Sequence, residues 1–465
     1  MSAPKNGRNR AIALLQLLVA TSFGCAPTNN VIGAKGAARL AGGSAGAGGQ
    51  GDTAGAGGQG DMAGGGDTAG GGMGNSHGGT AGSVPSELSG AGGNSGSPVA
   101  TAGTANPGGP SAGSDGLASP SGTFADPVEY PTGSSPRSLA LGDLNGDGKL
   151  DLLEANWEGT NLGVFLGTGT GTFEPKVDYA TGYQTNWAAL GDLNSDAVLD
   201  IALVNYDSHV AKVMLGVGDG SFGPIAEFPG TKNMFSVVLG DVNNDGKLDL
   251  ATSGGDSAAA SVFLSEGDGK FAEPQYFANA GKSFSVALAD INGDSNLDLA
   301  QVNTDAQSVT VMLGAGDGTF LQGTDYATGN YPMSVTFGDL NNDGNPDMVT
   351  ADSTSNEVGV RLGTGTGDFS SRVGYESASY PIYVSLADMN GDHVLDMIVV
   401  NWTAHSVSLR IGSGDGTFAD KVDYPTAFYP LMAAAGDLNG DGILDLAVVN
   451  SVSSTVSVFL GTRAK

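Results

Sequence analysis

From residue 121 onward, short apolar runs alternate with tight polar or glycine-rich stretches, and the pattern recurs every 49 residues. In the unit containing Asp192 the runs cover 187–193, 199–205, 210–217 and 221–228. Runs of that length, rich in Val, Leu and aromatic residues and bounded by Gly and Asp, read as strands. No stretch of this region has the 3.6-residue period of a helix. The first run leads into an acidic turn and the second leaves it, while a glycine-rich turn at 216–220 joins the third to the fourth. Four short antiparallel strands cannot bury both their faces alone, but copies stacked radially can. The pattern therefore predicts an all-β fold: a seven-bladed β-propeller of four-stranded blades.

The ends of the repeat array predict how the ring closes. A phenylalanine follows each glycine-rich turn, at Phe124, Phe173, Phe222, Phe271, Phe320, Phe369 and Phe418. The first of these precedes any acidic turn, and the last repeat stops at 459–462 without a fourth strand. The segment around 124–130 is thus expected to supply the missing strand of the final blade and to protect its edge.

The acidic turns carry the candidate chemistry. Seven share the form Asp-x-Asn-x-Asp-x-x-x-Asp, with oxygen side chains at positions one, three, five and nine. They are Asp143, Asn145, Asp147 and Asp151; Asp192, Asn194, Asp196 and Asp200; and Asp241, Asn243, Asp245 and Asp249. The next are Asp290, Asn292, Asp294 and Asp298; then Asp339, Asn341, Asp343 and Asp347. The last two are Asp388, Asn390, Asp392 and Asp396; and Asp437, Asn439, Asp441 and Asp445. Ca2+ takes 6–8 oxygen ligands in irregular geometry, which such a turn can supply together with a backbone carbonyl at position seven. Asp and Asn also favour metal-free turns, but three mutually repelling carboxylates within nine residues are not needed for that. Position six is Gly148, Gly246, Gly344 or Gly442 in four turns, and Ala197, Ser295 or His393 in the other three. Glycine enters left-handed conformations freely, so the three turns without it are expected to bind more weakly. An EF-hand is excluded. Only Glu154 offers a carboxylate at position twelve, and strands flank every turn.

These repeats resemble the FG-GAP or VCBS-type propeller repeats of bacterial surface proteins and the calcium-binding blades of the integrin alpha-subunit head. The likeness spans residues 121–465 and rests on the Asp-x-Asn-x-Asp-Gly-x-x-Asp turns and the Gly-Asp-Gly-Thr-Phe segments at 316–320 and 414–418. It implies a seven-bladed propeller with Ca2+ between the first two strands of each blade. It does not assign a task, because such propellers serve adhesion, sugar binding and attachment to enzymes.

Charge and the N-terminal quarter change the picture further. The chain of 465 residues has a net charge of -30, which excludes nucleic acid and anionic lipid as principal partners. Lys5, Arg8 and Arg10 precede an apolar run at 11–24 that is too short to span a bilayer. Residues 1–24 are read as a signal peptide. The lone Cys25 after Ser22-Phe23-Gly24 resembles a bacterial lipoprotein site, cleaved before Cys25 so that it carries lipid, although Ser22 stands where an apolar residue is usual. An ordinary secretory signal is the alternative, and both imply export. Residues 25–120, mostly Gly, Ala, Ser and Thr, bury too little to fold and are expected to be a disordered tether with a reach of about 50 Å.

A binding surface is expected on the face opposite the acidic turns. Trp157, Trp187, Tyr206, Trp402, Phe428 and Tyr429 fall there by repeat phase, in blades that become neighbours once the ring closes. Aromatic surfaces of this kind stack on sugars or pack against proteins. The expected function is an exported, monomeric surface or adhesion module for a glycan or protein ligand, attached to a membrane only through Cys25. No Ser-His-Asp or His-rich constellation supports an enzyme: His77, His209, His393 and His405 stand apart. A polysaccharide hydrolase or lyase, or a purely structural coat protein, are the alternatives.

Overall fold

The computed structural model describes residues 123–462 apart from 183 and 207. The leader, Cys25 and the tether expected over 1–120 lie outside the described residues.

The first complete sheet contains Pro136–Gly142, Asp151–Asn156, Asn161–Phe165 and Val177–Ala180, in chain order from inner to outer edge. Five further four-stranded sheets repeat that order, with inner strands at Thr185–Gly191, Val237–Gly240, Val286–Ala289, Pro332–Gly338 and Pro381–Ala387. The seventh is discontinuous in sequence: Pro430–Gly436, Asp445–Asn450 and Thr455–Phe459 are completed by Val128–Pro131, with Val128 opposite Val458 and Pro131 opposite Thr455. Seven blades thus close into a ring with its two ends in one sheet.

Burial falls off outward through each blade. In the second blade Asp200–Asn205 is buried at every position, whereas Ala226–Pro229 buries chiefly Phe228. Strands buried on both faces carry continuous apolar runs, and the outermost alternate. The fourth strand is shorter than the run 221–228 suggested. Phe222 makes only an isolated bridge with Gly216, and pairing begins at Ala226.

The repeated phenylalanines join blades. Each packs edge-on against an aromatic residue on the outer strand of the preceding blade, as in Tyr179–Phe222, 5.5 Å between centroids, and Tyr326–Phe369, 5.0 Å. Hydrogen bonds add to this at the acidic turns. Gly220 N–H donates to the Leu144 carbonyl and Gly318 N–H to that of Val242, so one blade's glycine-rich turn grips its neighbour's acidic turn. Acidic and glycine-rich turns therefore share one face. The second-to-third strand turns and the links between blades form the other.

Candidate functional sites on the two faces

In the first acidic turn, the Asp143 carboxylate accepts hydrogen bonds from the N–H groups of Gly146, Asp147 and Gly148 at 2.7–3.1 Å. Asn145 Oδ1 accepts from Asp147 N–H, and Asp147 Oδ1 from Lys149 N–H. Closely similar bonds recur in the other turns, for instance Gly344 N–H and Asp343 N–H to Asp339. These bonds curl the backbone around its own oxygens.

The ninth-position aspartate does more than the sequence suggested. Asp151 accepts from Leu144 N–H at 2.8 Å through one oxygen and from Gly167 N–H at 2.6 Å through the other. Asp200, Asp249, Asp298, Asp347, Asp396 and Asp445 do the same in their blades, stapling the acidic turn to the glycine-rich turn. Burial pushes the carboxyls of Asp249, Asp298, Asp396 and Asp445 up to about 6 against the pull of those N–H groups, and the first and fifth aspartates of the same turn push further.

Do these residues suit a hard cation? Every donor is oxygen, each turn holds three carboxylates, and their mutual repulsion is what a divalent ion would relieve. Among the described residues, however, no three His, Cys, Asp or Glu side chains converge as a ready metal cage. The carboxylates are held by backbone N–H groups and by neighbouring amides such as Asn341 Nδ2 on Asp343 Oδ2, 2.9 Å.

Two positions of each turn need a left-handed backbone. Position six has positive φ in all seven, at Ala197 (65°), Ser295 (69°) and His393 (67°) as well as at the four glycines. Position four does too: it is glycine or asparagine in six turns, and Ser195 (65°) in the second. Only the turn at 192–200 has neither a glycine nor an asparagine at these positions. Space is not the issue, since a Cβ on Gly148 or Gly246 would meet nothing within 4 Å. The cost is dihedral.

The structure divides the aromatic set expected on the opposite face. Trp157 and Tyr206 meet at 5.4 Å, and the contact continues through Phe235 and Phe284. Trp157 is buried, with the Arg137 guanidinium 3.8 Å above its ring. Burial lowers the Arg137 pKa to about 9. Trp402 lies between Tyr380 and Tyr429 at 5.4 and 5.1 Å, and His405 packs against both Tyr429 and Phe428. Phe428 is 61% exposed. Trp187 is apart from both groups: it sits on an inner strand, 5.9 Å from Tyr383 of the sixth blade.

Sequence reasoning missed Tyr380, His405 and Tyr383. The first was findable, because Tyr331, Tyr380 and Tyr429 recur at the 49-residue step. All three have φ of 59–62°, a region that costs a tyrosine energy and that structures tend to retain where a site needs it.

A family profile described as FG-GAP-like repeat matches residues 192–252, 241–301, 298–350, 339–399 and 395–448. No curated protein sequence matches the chain. Solved structures resemble it in fold. One is an Agrocybe aegerita lectin described as recognising non-reducing terminal N-acetylglucosamine, 19% identical, with TM-score 0.50, covering 71% of this chain and 96% of the lectin. Another is BBS1N in complex with ARL6DN, 12% identical, TM-score 0.55, covering 74% and 98%. A third is a catalytically inactive virginiamycin B lyase from Staphylococcus aureus with quinupristin, 12% identical, TM-score 0.50, covering 73% and 100%.

Proposed function

The chain belongs to the FG-GAP-like repeat family, and from that premise we propose that it is an exported, calcium-binding surface module that holds a glycan or protein ligand on the aromatic face. The acidic turns hold Ca2+ through the aspartates and asparagines at positions one, three, five and nine. The ion supplies positive charge to carboxylates that burial and mutual repulsion otherwise disfavour, and it stiffens turns that link each blade to the next. Recognition is left to the opposite face. The observation that carries this reading is the cluster of tilted rings Tyr380, Trp402 and Tyr429 with exposed Phe428 beside it, built on tyrosines in a strained backbone. Partly exposed aromatic clusters bind sugar C–H faces or apolar protein anchors.

Export, and lipid attachment through Cys25, belong to the same reading. Proteins of this family are typically extracellular, and no helix among the described residues is long and apolar enough to cross a membrane. The chain is read as a non-enzymatic monomer. The structural neighbours include both a lectin and BBS1N in complex with ARL6DN, so likeness of fold is compatible with a glycan and with a protein ligand.

A glycan array and a pull-down with the full chain, each with and without Ca2+ and with Trp402→Ala in parallel, test the proposal. Calcium-dependent capture that the Trp402 variant loses supports it. Capture indifferent to both overturns it, and release of reducing ends from a polysaccharide panel would replace it with a hydrolase or lyase reading.

A further inference from the structure

The sevenfold repeat is broken on the axis of the ring. One inner-strand position carries serine in four blades (Ser138, Ser236, Ser285 and Ser334), Met432 in the seventh, and aromatic residues only at Trp187 and Tyr383. These two rings, from blades two and six, meet across the ring at 5.9 Å and form a wall. Beside the wall, toward blades three to five, lies a cavity of about 220 Å³ lined by Trp187, Tyr383, Ser236, Ser285, Thr336 and Ser385 together with aliphatic side chains. No lining residue carries a formal charge. Two polar atoms on this lining are buried without a hydrogen-bond partner, Trp187 Nε1 and Ser385 Oγ.

From this geometry we infer that this cavity is a second binding site, for one neutral hydroxylated ring such as a monosaccharide or cyclitol. An ion would lose its hydration with no counter-charge to replace it. A purely apolar ligand would leave the indole N–H and the Ser385 hydroxyl unsatisfied. A small polyol ring satisfies both demands. Its C–H face lies on the Tyr383 ring, while its hydroxyls bond to the Trp187 N–H at the indole edge, to Ser385 and to the serine and threonine hydroxyls opposite. The cavity is much larger than the roughly 30 Å³ one water occupies, so a lone water does not fill it. The site is separate from the Trp402 cluster, and its existence does not depend on what that cluster binds.

The test titrates glucose, galactose, N-acetylglucosamine and myo-inositol into the full chain, read by saturation-transfer NMR and calorimetry. At least one is expected to bind saturably. Ser385→Ala, which removes only the hydroxyl, is expected to weaken it at least about fivefold. Trp187→Ala is expected to abolish it, and Trp402→Ala to leave it unchanged. If Trp187→Ala fails to fold, Ser385→Ala alone decides. No binding by any of the four, or binding that Ser385→Ala leaves intact, overturns the inference; so does binding that Trp402→Ala removes.

Discussion

Tyr424 and Phe124 meet edge-on with ring centroids 4.9 Å apart. This is the contact that every other pair of neighbouring blades makes between an outer-strand aromatic and the repeated phenylalanine, here formed by opposite ends of the propeller. Phe124 also touches Phe459, at 5.9 Å. Phe124→Ala is expected to cost about 2 kcal/mol of stability. Deleting residues 123–131 should lower the melting temperature far more, because the edge of Thr455–Phe459 then lies open. Calorimetry giving an unchanged melting temperature for the deletion would contradict closure by this strand.

Glycine at the strained turn positions should stabilise. Ala197→Gly, Ser295→Gly and His393→Gly each relieve a left-handed backbone, and a gain of about 1 kcal/mol per site is expected. The pair Ser195→Gly and Ala197→Gly should give the largest effect, since that turn has neither a glycine nor an asparagine at positions four and six. Calcium titration should also show tighter binding in the substituted turns. Equal melting temperatures for the variants and the parent chain would refute the strain argument.

Glu154 makes the stability depend on pH. It is fully buried, with Oε1 near Asn156, the Gly133 N–H and Lys176, and Oε2 unpartnered. Burial first of all pushes its carboxyl up to about 6, against 4.5 for the ordinary group. The folded chain thus holds this proton more readily than the unfolded one. The ionised carboxylate costs stability above pH about 6, and the cost fades as pH falls toward 4.5. Glu154→Gln should therefore raise stability at pH 7.5 by about 1–2 kcal/mol. The gain should shrink at pH 4.5. Denaturant melts at the two values check this, and a pH-independent effect would rule it out.

The two tryptophans on the aromatic face should respond differently. Trp157→Ala removes a buried ring beneath the Arg137 guanidinium, so a loss of about 3 kcal/mol or more is expected. Trp402→Ala and Phe428→Ala should alter stability much less yet weaken ligand capture. A Trp402 variant that unfolds, or that captures ligand normally, would argue against a recognition role.

Much of this was legible in the chain. The 49-residue step announced the blades, and the unmatched Phe124 announced the closing strand, because periodic burial leaves a periodic sequence. The acidic turns were equally plain. What their ninth aspartates do was not: each serves as a double acceptor between two turns, and a spacing rule cannot say where a carboxylate's second oxygen points. The left-handed position four was also invisible in the second turn, where Ser195 adopts it without glycine.

The sequence by itself determined the repeat, the strand order and the donor set on one face, since these depend on residue types at fixed separations along the backbone. Only the tertiary structure decided which aromatic residues act together. The expected patch divides into a Tyr380–Trp402–Tyr429 group on blades six and seven and a Trp157–Tyr206–Phe235–Phe284 group beginning on blade one, while an inner strand turns Trp187 onto the axis toward Tyr383. Trp157 and Trp402 differ in environment for the same reason. Each takes contacts both from its own blade, Arg137 over Trp157 and Tyr380 beside Trp402, and from the next, Tyr206 and Tyr429, and repeat phase records a residue's height in its blade but not which side chains surround it.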